Sequence, residues 1–166
     1  IMRQNLDVKM SLSDKKINKS IPFSAGFLGV SGLIPFICLT CGMVFEWDLG
    51  VEVSFVLRAY SAVILSFLGG IHWGVAIRNS LLENRLSTKL SLHLTLSVIP
   101  SLLGWVGLLA SELAGFCIII VGFVLILAID LRIAQINGMP EWYPRLRKLL
   151  TLIVGGCLVI ASALKF

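Results

Sequence analysis

Apolar and polar positions alternate along this chain only at long range: five extended hydrophobic runs are separated by short charged connectors. The runs fall at positions 20–45, 53–77, 90–111, 113–136 and 147–165. The first and third carry no charge, the second contains Arg58 alone, and the fourth is interrupted only by Asp130 and Arg132 near its end. A helix needs about 20 apolar residues to cross roughly 30 Å of hydrocarbon. The fifth run meets this only because Lys148 and Lys165 can snorkel outward from its apolar part. None of the runs shows the period-two alternation of barrel strands, and an open sheet would leave backbone groups unpaired in lipid. The pattern predicts an all-α polytopic membrane protein, a bundle of five transmembrane helices spanning 20–166 behind a polar tail at 1–19.

Composition agrees: the chain is 57% hydrophobic and 14% charged, with a mean hydropathy of +0.95. With 166 residues, nothing remains for a separate soluble domain. Of the fourteen basic residues, all but Arg58 and Lys165 lie in the tail, the second connector or the stretch from Arg132 to Lys148. The first connector, "EWDLGVE", is acidic, and the third carries only Glu112. By the retention of positive residues on the cytoplasmic side, this places the N-terminus inside and the C-terminus outside. The hydrophobic run after the tail is too long for the core of a signal peptide, so the tail is expected to remain, close to anionic headgroups of the cytoplasmic leaflet.

The second run holds the most distinctive pattern. Ala62, Ser66, Gly70 and Gly74 recur every four residues and are expected to form a ridge of small side chains against another helix, in the chain or in a partner. His72 lies in the same stretch, roughly 9 Å from the charged boundary at Arg78. An ionisable group in a span is a candidate for function by default. His93 and Asp130 reach a similar depth, with Thr151 near them. Together they read either as a proton relay or ligand site, or as interhelical glue in which His72 pairs with Asp130 and the others sit at the wet interface. At the opposite end, Arg58 is expected to pair with Glu112, Glu52 or Asp48. The stretch "NGMPEWYPRLRKLL" reads as a turn bracketed by prolines, with Trp142 and Tyr143 as interface anchors and Arg145, Arg147 and Lys148 able to meet lipid phosphate.

The chemistry on offer is otherwise sparse. Cys38 and Cys41 form a CxxC inside hydrocarbon, with no second pair and no histidine at ligand spacing, so they read as packing residues. Cys117 and Cys157 are isolated. No metal site and no cofactor is expected, and neither a phosphate loop, a dinucleotide fingerprint nor a basic aromatic patch for nucleic acid is present.

The segments "AYSAVILSFLGGIHWGVAI" (Ala59 to Ile77) and "PEWYPRLRKLLT" (Pro140 to Thr151), at this separation in a five-helix chain, resemble the transmembrane protein 69-like family over roughly Ile21 to Ala163. The resemblance implies a small multi-pass protein of a bacterial inner membrane, or of mitochondria in eukaryotic relatives. It marks His72, Trp73, Trp142 and Tyr143 as motif positions and supplies no catalytic residue. Three readings of function are ranked. The first is a non-enzymatic accessory or assembly subunit that docks on a larger membrane complex or on a second copy. The second is a small proton or solute conduit centred on His72 and Asp130, and the third a lipid- or quinone-binding membrane protein.

Reporter fusions at the two ends should give a cytoplasmic N-terminus and an external C-terminus. Finding both ends on one side would remove one span from this topology, most simply the fifth.

Overall fold

The computed structural model describes residues 21–47, 50–83, 88–136 and 140–165. The tail and its expected lipid contact lie outside them. Five helices account for nearly all of the described residues: α1 (Phe23–Val44), α2 (Val53–Glu83), α3 (Thr88–Leu109), α4 (Glu112–Ile136) and α5 (Trp142–Ala163). All five are long and apolar enough to cross a membrane. The protein is therefore a multi-pass membrane protein. Helices are the form that satisfies every backbone group within its own segment. Pro35 lies inside α1 and Pro100 inside α3, a placement tolerated more readily in spans than in soluble helices.

The fifth helix differs from its expected limits. It begins at Trp142, so the proline-bracketed stretch is its first two turns and not a connector. Pro144 is the third helical residue, where the missing N–H would have had no intrahelical partner. The end of α1 is closed by a tight turn. Glu46 takes a left-handed conformation (φ 51°), and the Trp47 N–H reaches back to the Gly42 carbonyl at 2.9 Å.

α2 is the central element, packed against α1, α3 and α4, while α5 closes the bundle against α1 and α4. Neighbours in sequence run antiparallel: Gly42 meets Val53, Ala62 meets Gly104, and Gly107 meets Ile119. α2 and α4 run parallel, with Arg58 on Gly115, Leu65 on Gly122 and His72 beside Asp130. Those steps of seven and eight residues keep one stripe of each helix facing the other. Phe36, Leu57, Leu65, Phe116, Ile119, Ile126 and Leu158 are the largest fully buried apolar side chains. Phe36 stands edge-on to both Tyr60 and Phe123.

Lipid tails are as apolar as leucine, so burial of these residues does little to hold the helices together, and close packing must do more. Glycines at the crossings permit it. A Cβ on Gly104 would lie 2.9 Å from the Ala62 Cα, and one on Gly69 would collide with the Ser97 carbonyl. The small-residue ridge of α2 is thus divided within the chain. Ala62 is buried, but Ser66, Gly70 and Gly74 lie on the outer surface, and a Cβ at either glycine would meet nothing within 4 Å. The reason is angular. Steps of four residues drift by about 40° each, so the ridge has turned by about 120° between Ala62 and Gly74. The stripe that stays against the neighbouring helices follows steps of seven, through the buried Ala62, Gly69 and Ala76.

Gly104→Leu should therefore lower stability in detergent by about 1–3 kcal/mol through overpacking, whereas Gly70→Leu should stay within about 0.5 kcal/mol of the parent. Thermal or denaturant unfolding of the two variants checks this. Equal losses would place Gly70 in a contact within the chain.

Candidate functional site

Asp130 is 3% exposed, deep in the last third of α4, and three side chains from two other helices surround its carboxylate. The Tyr143 hydroxyl donates to Oδ1 at 3.0 Å and the Arg147 Nε donates to Oδ2. Both come from the opening turns of α5, where four-residue spacing puts them on one face. From α2, His72 Nε2 lies 3.0 Å from Oδ1. This contact has the separation of an ion pair without the alignment of a hydrogen bond, since both ring nitrogens are buried and neither meets hydrogen-bond geometry. A small rotation of the ring would bring Nε2 into line with the carboxylate.

Two further polar atoms in this layer are buried without a partner: Nη2 of Arg147 and Oγ1 of Thr151, one turn farther along α5. A guanidinium and a carboxylate taken out of water each lose several kcal/mol of solvation, which their mutual attraction offsets only when geometry and hydrogen bonding are good. Arg147 and Asp130 achieve this with help from Tyr143.

His72 and Asp130, paired in expectation, are together in the structure. His93 does not join them, because its side chain is exposed on α3. Of the five residues read as a lipid-facing loop, Trp142, Arg145 and Lys148 are at least partly accessible, Trp142 standing edge-on to Tyr143 at 6.0 Å. Tyr143 and Arg147 instead turn inward to Asp130. Sequence reasoning missed this because Pro140 and Pro144 read as turn residues. The available signal was the spacing of Tyr143, Arg147 and Thr151, which forms a polar stripe once the segment is helical.

At the other end of the bundle Arg58 and Glu112, expected to pair, enter two separate arrangements, and Asp48, another expected partner of Arg58, lies outside the described residues. Arg58 is buried, its Nη1 3.4 Å from the carbonyls of Gly107 and Ala110 and its guanidinium carbon 5.9 Å from the centre of the Phe116 ring. These carbonyls lie at the C-terminal end of α3, where a cation is favoured by the helix dipole. Glu112, the first residue of α4, accepts from the Ser54 hydroxyl and pairs with Lys165 at 3.1 Å. Lys165 also reaches Glu52 at 3.2 Å. Hydrogen bonds to Glu112, then Glu52, hold the Lys165 ammonium above its ordinary pKa. Lys165, following α5, takes the place that the sequence reading assigned to Arg58.

The four cysteines are free thiols. Among the described residues, no group of three or more His, Cys, Asp or Glu side chains is placed to hold a metal ion.

Residues 21–163 match the family model described as protein of unknown function, DUF3429. Transmembrane protein 69 of Xenopus tropicalis is 36% identical over 140 residues, covering 84% of this chain and 54% of the relative. Transmembrane protein 69 of Mus musculus is 30% identical over 132 residues, covering 80% of this chain and 52% of the relative. The chain thus spans about half the length of the curated relatives it matches. No solved structure matches it.

Asp130→Ala would leave Arg147 charged and uncompensated in a dry layer, and should cost about 3–5 kcal/mol of stability. The double variant Asp130→Leu, Arg147→Met removes both charges and should recover most of that loss. Melting temperatures of the single and double variants in one detergent check the coupling. A single variant as stable as the parent would show that water reaches the layer.

Proposed function

This chain belongs to the DUF3429 family, and from the surface of α2 we propose that it is an accessory or assembly subunit that docks helix-on-helix beside a larger membrane complex. The observation that carries the reading is the outer strip of α2. Ser66, Gly70 and Gly74 present a shallow groove to the membrane, flanked by the exposed Val63, Phe67, Trp73 and Ile77. The helix is central to the fold, yet this face has no neighbour among the described residues. Glycine there weakens the helix and exposes its backbone, a cost that a closely approaching partner helix would offset.

The charged layers fit the same reading. Asp130 is tied to Arg147 and Tyr143, Glu112 to Ser54 and Lys165, and Arg58 to backbone carbonyls. Between the two layers lie Leu65, Leu68, Phe123, Ile126, Val154 and Leu158, all buried and apolar, and the buried hydroxyls of Ser61 and Ser97 are spent on carbonyls of their own helices. A conduit through one copy would need polar groups or water at that depth, so this core counts against the proton or solute reading. The same proposal places the chain in a bacterial inner membrane, or a mitochondrial one, with the N-terminal basic tail on the inner side. The skew of Lys and Arg supports that orientation.

Affinity purification in mild detergent followed by mass spectrometry should recover a partner membrane protein at stoichiometric level. Gly70→Leu and Gly74→Leu should leave expression and melting temperature intact while reducing recovery by about tenfold or more, the loss expected when a close helix crossing is blocked. Recovery unchanged by both variants would overturn the reading.

A further inference from the structure

Helix α5 has two faces that differ in kind. Arg147, Thr151, Val154, Leu158 and Ala161 are buried, on the side that packs against α1 and α4. Arg145, Lys148, Leu149, Leu152, Gly156 and Val159 are exposed. At 100° per residue these six positions fall within an arc of about 100° on the opposite side of the helix. The exposed face changes character along its length. It opens with Arg145 and Lys148, three residues apart, and the half-exposed Trp142 stands three residues before them, edge-on to Tyr143 at 6.0 Å. From Leu149 to Val159 the exposed positions are apolar. That run is about 15 Å long at 1.5 Å per residue, half of the roughly 30 Å of hydrocarbon. Gly156 makes a dip in it, since a Cβ there would meet nothing within 4 Å.

Two accessible cations above one leaflet's depth of apolar surface have the layout of a phospholipid, with Trp142 at the level where aromatic rings meet headgroups. Arg147 is taken up by Asp130 and Lys165 by Glu112, whereas neither Arg145 nor Lys148 enters an ion pair among the described residues. Charge selects the headgroup. Guanidinium and ammonium groups in contact with water keep their charge throughout the physiological range. Set against the exposed carboxylate of Glu141, which stands just before the helix, they leave this face one positive charge. A single phosphodiester cancels that charge; a zwitterionic headgroup, neutral overall, does not. Arg145 offers a planar fork to the phosphate oxygens, and Lys148 adds a second, compact charge from the next turn.

We propose that the outer face of α5 binds an anionic phospholipid, its phosphodiester held by Arg145 and Lys148 beside the Trp142 ring and its acyl chains laid along Leu149, Leu152, Gly156 and Val159. The site is independent of the docking strip on α2, a helix with which α5 shares no extended contact among the described residues.

The full chain, purified in an uncharged maltoside detergent, can be titrated with phosphatidylglycerol or phosphatidylcholine while melting temperature and, by native mass spectrometry, bound lipid are followed. Phosphatidylglycerol should bind saturably and raise the melting temperature, and phosphatidylcholine should bind about tenfold more weakly. Arg145→Gln and Lys148→Gln change the surface alone, so without lipid both should melt with the parent. Each should weaken phosphatidylglycerol binding about fivefold, the contribution of one basic residue beside an anionic lipid. Arg78→Gln, exposed on α2 at the same end of the bundle, should leave the affinity within about twofold of the parent. A loss in Arg78→Gln as large as in the α5 variants would overturn the proposal in favour of a diffuse positive field. Equal binding of the two lipids, or unchanged affinity in both α5 variants, would overturn it in favour of ordinary solvation by the bilayer. Glycerol phosphate, which has the head without the chains, should give no shift at the same concentrations. A shift as large as that of the lipid would overturn the proposal in favour of a phosphate site facing water.

Discussion

The carboxylate of Asp130 is the constraint around which the rest of this bundle is arranged. A charge in a membrane span must be met by other polar groups at the same depth, and the nearest supply lies on different helices. Arg147 and Tyr143 bring the start of α5 against the end of α4, and His72 brings the matching depth of α2. One buried group thus sets the relative height of three helices. Hydrophobic contacts alone would specify that height poorly, since leucine slides past leucine in lipid with little penalty.

From that anchor the register passes along the parallel pair α2 and α4 to Leu65 on Gly122 and Arg58 on Gly115. Each contact places a large side chain of α2 on a glycine of α4; a Cβ at Gly115 would collide with the Gly107 carbonyl, and one at Gly122 would press on the end of Leu65. α3 then closes on the opposite side, its Gly104 against Ala62 and its Gly107 against Ile119. Polar groups fix the height and glycines fix the separation. The aromatic and aliphatic core fills what remains.

How much of this was legible in the sequence depends on the range of the forces involved. The five spans were legible because hydrocarbon thickness imposes a length that each run either meets or fails. The pairing of His72 with Asp130 was legible because a buried carboxylate needs partners and few were available. The ridge on α2 was only half legible, since a repeat of four looks like a face over two turns and leaves that face over three. Arg147 and Tyr143 were misplaced for a local reason, two prolines that end many helices but here stand before and within the first turn of one. Arg58 was misread because the sequence displays the acidic residues that could attract it and hides the backbone carbonyls at the end of α3. Lys165 shows the converse case. A terminal lysine looks incidental until the parallel packing of α1 and α5 brings the end of the chain to the turn that follows α1.

The two polar layers differ in what they can contribute to function. At the Glu112 end, the side chains of Glu52 and Lys165 are 60% and 34% exposed, so their attraction is screened by water and salt and adds little stability. Such a layer closes the ends of helices and tolerates rearrangement. At the Asp130 end the groups are dry, and an unpaired donor or acceptor there carries a penalty, as the buried Arg58 Nε does at the other end. Thr151 is the clearest instance, because valine would fill the same space without a hydroxyl to satisfy. A buried threonine with no partner is costly to the fold, whereas Asp130, tied to Arg147 and Tyr143, holds α4 and α5 at one height.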